Sequence, residues 1–140
     1  MRLSRTQDEG SASVEFLGAG VLLLVPLVYL MLCLAQLQGA AFAVEGASRS
    51  AALAAARAPD AVTGAARAEA AIAVALADFG VDAGTMHAAV ACDPDCGSVG
   101  ALVRASVSVD VPLPFLPEVR VLPIEATAVV PVPRFPPGER

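Results

Sequence analysis

Tryptophan and lysine are absent from this 140-residue chain, histidine and tyrosine occur once each, and there are only three cysteines. So few histidines, cysteines and tyrosines leave little material for acid–base, nucleophilic or metal chemistry, and no enzyme is expected. All nine basic residues are arginines, outnumbered by fourteen acids for a net charge of −5, and no basic patch occurs. An electrostatic grip on nucleic acid therefore has no footing. Charged residues make up 16% of the chain and apolar ones 56%, which excludes a disordered segment held open by charge. The length suits one small domain plus an additional segment.

The apolar residues are concentrated. No charged side chain occurs from Phe16 to Val44, and Phe16 to Leu37 is almost continuously hydrophobic. About 20 apolar helical residues cross the hydrocarbon core of a bilayer, whereas a signal peptide carries about 7–15. A transmembrane anchor in contact with lipid is the expectation. The rival is secretion after the small residues Ala41 and Ala43. Arg2 and Arg5 precede the run and Arg49 is the next basic residue. The positive-inside rule then keeps the N-terminus cytoplasmic and the C-terminal domain extracytoplasmic, in a single pass of the cytoplasmic membrane. Cys92 and Cys96 would lie where a disulfide persists.

The segment before the run reads MRLSRTQDEG followed by SASVEFLGAG. A carboxylate, Glu15, thus stands at the mouth of a membrane helix. A centrally placed Asp costs about 2.5–3.5 kcal/mol on insertion, less near an interface, and such residues generally need a partner. Acidic side chains also suit the first turn of any helix. With Gly10 the pattern resembles a prepilin leader, which a membrane aspartyl peptidase cuts after glycine, and in which Glu is typical at the fifth mature position. The resemblance implies cleavage between Gly10 and Ser11, with Glu15 fifth and Phe16 sixth in the mature chain. The new α-amine and the Glu15 carboxylate of a neighbouring subunit would pair and fix register rather than add stability.

Gly10, Ala12, Val14, Glu15, Phe16 and Pro26, with the Ala-Arg segment Ala47–Ala58, are similar to the TadE-like pseudopilins of tight-adherence (Flp-type) pilus systems. The likeness covers Asp8 to Ala58. It implies a minor pilin or pseudopilin, a structural component of pilus assembly or secretion. The implied partners are prepilin peptidase, other pilin subunits and the assembly platform. The alternative is an uncleaved single-pass protein whose outer domain binds an envelope partner.

The expected fold class is α+β and pilin-like. Residues 1–10 form the leader, 11–58 a transmembrane and extended helix, 59–130 an extracytoplasmic α+β domain and 131–140 a proline-rich tail. A helix from Val14 to Arg57 would be about 65 Å long, locally kinked at Pro26 and stopped before Pro59. Two rows of small residues follow its surface: Gly39, Ala43, Ala47, Ala51 and Ala55, and Gly46, Ser50, Ala54 and Ala58. Such rows let helices of neighbouring subunits approach closely, although the general richness in alanine produces rows as well.

A second, amphipathic helix is expected over Ala61–Phe79, with Ile72, Leu76 and Phe79 as its apolar stripe and Gly80 closing it. Beyond Gly84 the period becomes two. Met86–Cys92, Val103–Val111 and Glu118–Val130 read as three antiparallel strands in a meander. Val107, Val109 and Val111 share one face; Ser106, Ser108 and Asp110 share the other. Pro112, Pro114 and Pro117 read as the last connection, and Pro123 marks an edge or a bulge.

Cys92 and Cys96, with three residues between them, point to a structural disulfide across a tight turn. Zinc would need further ligands with only His87 near, a redox dithiol is typically C-x-x-C, and Asp93 and Asp95 lack the rest of a calcium loop. Cys33 reads as a packing residue of the span. No metal and no cofactor is expected.

Overall fold

The computed structural model describes residues 9–82, 84, 86–96 and 98–133, with side chains described from 12 to 115 and from 123 to 133 within them. The leader up to residue 8 and the end of the tail, 134–140, lie outside the described residues. Two helices and three strands follow in order: α1 (Glu9–Ala56), α2 (Ala61–Ala77), β1 (Met86–Asp93), β2 (Leu102–Leu113) and β3 (Leu116–Pro131). The fold is α+β, with all three strands antiparallel in the order β1-β2-β3. The chain divides into two compact units, one ending at Ala35 and one beginning at Gln36.

The second unit holds the core. β2 is its central strand and its alternation decides the faces: Val103, Ala105, Val107, Val109 and Val111 are buried, while Arg104, Ser106, Ser108 and Asp110 are not. On β3 the residues facing the same side, Ile124, Ala126, Ala128 and Val130, pair with Val109, Val107, Ala105 and Val103. These are half-buried, whereas Glu125, Thr127 and Val129 between them are exposed. On the outer face Ser106 Oγ and Thr127 Oγ1 lie 2.9 Å apart in a cross-strand hydrogen bond.

Against the inner sheet face stand the last turns of α1 and one face of α2. Ala40, Ala43, Val44, Ala47, Ala51, Ala52, Ala55 and Ala56 of α1 form one core with Ala68, Ile72 and Leu76 of α2 and the inner β2 residues. Alanines keep the layers thin: Gly64, in the first turns of α2, sits so near α1 that an added Cβ would lie 3.5 Å from the Ala55 carbonyl oxygen and the Ala58 Cβ. One of the two small-residue rows, Ala43 to Ala55, is therefore spent inside its own subunit and offers nothing to a neighbour. In the other row Gly46 and Ser50 remain exposed.

α2 begins with an N-cap. The Asp60 carboxylate accepts the Thr63 backbone N–H at 2.8 Å and the Thr63 hydroxyl at 2.9 Å. These hydrogen bonds, joined weakly by the Arg67 charge, hold the Asp60 carboxyl below the usual carboxylate range. The helix ends earlier than its pattern suggests. Gly80 takes a positive φ of 66°, the Val81 N–H reaches back to the Leu76 carbonyl at 3.0 Å, and the Gly80 N–H reaches that of Ala77 at 3.0 Å. That closure takes Phe79 off the helix: Ile72 and Leu76 are buried as expected, but Phe79 is 53% exposed.

Three further boundaries differ from the expectation. α1 starts at Glu9, ahead of Val14. Pro112 and Pro117, read as connection, lie within β2 and β3, and the turn is reduced to Pro114 and Phe115. Proline removes a ladder donor, and the β2–β3 register is irregular on both sides of Pro112. At Pro123 both expected features occur: β3 is an edge strand, where the missing N–H is tolerated, and the register with β2 shifts directly beside it.

Candidate functional site

The candidate site is the first unit, where α1 carries apolar side chains around its whole circumference. Phe16 is 81% exposed and Leu22 78%; Val14, Leu17, Leu23, Val25, Leu30 and Met31 are also exposed. From Ala12 onward α1 is long and apolar enough to cross a membrane, with mean hydropathy 2.5 in its most apolar stretch. Fully burying one such side chain is worth about 1.5–3 kcal/mol, so a bare helix of this composition requires an apolar surrounding. Ser13, Val14, Leu17, Gly18, Val21, Leu22, Val25 and Pro26 line a shallow apolar depression along it.

Glu15 interrupts this surface near its start, exposed between Val14 and Phe16. Among the described residues no cation pairs with it. Gly10 and Ser11 lie in the first turns of α1, and their side-chain surroundings are outside the described residues. The four residues singled out for processing thus share one helical segment, with the carboxylate one to two turns beyond the Gly10–Ser11 bond. That spacing is a property of sequence and helix. Farther along, Cys33 is free and half-buried, one helical turn beyond Tyr29, whose hydroxyl is buried. Nothing in the sequence pattern singled out that hydroxyl.

Cys92 and Cys96 form the expected disulfide, with Cα atoms 5.0 Å apart. The bridge consumes both thiols, so neither is available as a thiolate ligand. The turn it closes is further fixed by Asp95, whose carboxylate accepts the Ser98 N–H at 2.8 Å and the Ser98 hydroxyl at 2.6 Å. The peptide bond between Asp93 and Pro94 is cis. His87 lies on the exposed outer face of β1, opposite Ser108. Among the described residues no three His, Cys, Asp or Glu side chains gather as a metal site would require. The ion pair between Arg49 and Glu45, 3.1 Å, lies on an exposed face of α1 and adds little stability.

Comparison with known proteins returns no family model, no curated protein and no solved structure that matches the chain.

Proposed function

We propose that this chain is a TadE-like minor pilin or pseudopilin, a structural subunit of a Flp-type pilus assembly or secretion apparatus with a pilin-like fold. The observation that carries the reading is one helix: Gly10, Ser11, Glu15 and Phe16 open α1, its first unit is bare apolar surface, and its last turns build the core of a small α+β head. A helix-first subunit with a head needs this division. The apolar part is covered by lipid before assembly and by other helices after it. A Glu within that part is tolerated where a partner charge meets it.

In this reading prepilin peptidase cuts between Gly10 and Ser11 on the cytoplasmic side, and the head stands outside the cytoplasmic membrane, where the Cys92–Cys96 bond persists. The chain's work is insertion, maturation and lateral packing with other pilin subunits on the assembly platform. It performs no catalysis. Substituting Gly10→Leu tests this: maturation by the cognate peptidase should stop while membrane insertion continues. A G10L chain that still reaches the mature length would refute the proposal. Glu15→Ala should leave insertion intact and lower incorporation into assemblies; unchanged incorporation would remove the register role of Glu15.

A further inference from the structure

The two edges of the sheet are built differently. β3 carries Pro117, Pro123 and Pro131, and Glu125 on its exposed face, the devices that keep an edge from pairing. β1 has neither a proline nor a lysine or arginine: its residues are Met86, His87, Ala88, Ala89, Val90, Ala91, Cys92 and Asp93. The layer is also unfinished there. Ala88 faces inward opposite Val107, yet Ala88 is exposed while Val107 is fully buried.

We infer that the β1 edge pairs antiparallel with β1 of a second copy of this chain, in the register that sets Val90 opposite Val90. The occupant follows from the edges: among the described strands β1 is the edge free of proline along its whole length, so a second copy offers it the same unguarded edge. The register follows from face and charge. Inward residues must meet inward residues, or every side chain changes side. Centring on Val90 satisfies this, sets Ala88 opposite Cys92 of the second copy and Ala89 opposite its Ala91, and places His87 opposite its Asp93 at both ends. Each end then joins an imidazole to a carboxylate. Such a contact is isologous: it closes a two-fold dimer and does not propagate, so it describes paired subunits outside any fibre. It stands independently of the proposed function.

The test uses the full chain in membranes, with Cys33→Ser removing the free thiol. Two differently tagged copies, one Ala89→Cys and the other Ala91→Cys, are co-expressed and mildly oxidised. Bridging requires Cα atoms within about 7 Å, so this pair should crosslink about tenfold more than a pair of His87→Cys copies, whose positions lie at opposite ends of the ladder. Ala89→Glu with Ala91→Glu in both copies faces carboxylates across the junction, and co-purification of the tags should fall severalfold. An intact Cys92–Cys96 bond by mass and an unchanged melting curve verify that this variant is folded. Equal crosslinking of the two cysteine pairs, or tags that co-purify equally in the glutamate variant, would overturn the inference.

Discussion

Helix α1 is continuous from Glu9 to Ala56, yet its two parts obey different rules. Up to Ala35 the large aliphatic residues surround the axis, so no rotation of the helix could bury them all against one partner surface. From Gln36 the large residues thin out. Alanines collect on one side, buried against the sheet and α2, while Glu45, Arg49 and Ser50 take the other. The same secondary structure is apolar enough to cross a membrane where hydrophobicity is uniform and serves as a core wall where it is one-sided.

The largest effect should come from breaking the uniform part. Leu23→Arg with Leu24→Arg adds roughly 2.5–3.5 kcal/mol per residue to the cost of insertion. The protein should shift from the alkaline-resistant membrane fraction to the soluble or degraded one; full retention would contradict the anchor.

The one-sided part is sharpened by a pair of truncations. Ile72→Ala removes a side chain that is 1% exposed and should cost the head about 2–5 kcal/mol in a urea melt. Leu22→Ala, made where the side chain is 78% exposed, should leave that melt unchanged. Equal effects would erase the distinction between the two regions.

Smaller still is the disulfide. Cys92→Ser with Cys96→Ser opens a short loop and should lower head stability by about 2 kcal/mol while leaving membrane association intact.

The mildest effect is the N-cap of α2. The Asp60 carboxyl is held below the usual carboxylate range, so the folded chain binds its proton less readily than the unfolded chain does. Its stabilisation is complete above the ordinary carboxylate pKa and is lost as pH falls through the lowered, folded-state value. Asp60→Ala should reduce stability at neutral pH and flatten the acid limb of the melting profile. A profile unchanged by the substitution would show that the cap carries no pH dependence.

The head was largely legible because alternation is a strong signal. Val107, Val109 and Val111 declare an inner face, Ser106, Ser108 and Asp110 an outer one, and the burial of β2 follows them. Pro112 and Pro117 were misleading because proline removes a donor without forbidding extended backbone, so an irregular ladder absorbs them. Phe79 fitted the helical period, but α2 ends at Ala77, two residues earlier, because the closing turn at Gly80 starts before the apolar stripe ends. The alanine rows were the least legible: alanine packs equally well on an intramolecular layer or a neighbouring helix, and only the sheet beneath Ala43, Ala47 and Ala51 decides. Of the candidate site, the apolar span and the disulfide were plain from the sequence. The buried Tyr29 hydroxyl was not, since burial of one atom on an otherwise bare helix leaves no periodic trace.

In the proposed subunit the apolar helix begins as a processed one. The most direct test is the mature N-terminus of the chain, by intact mass and terminal sequencing, with and without the cognate prepilin peptidase. A peptidase-dependent start at Ser11 is the expected result. A start at Met1 in both samples would contradict the account and leave a plain membrane anchor, and a start near Val44 would mean a secreted domain.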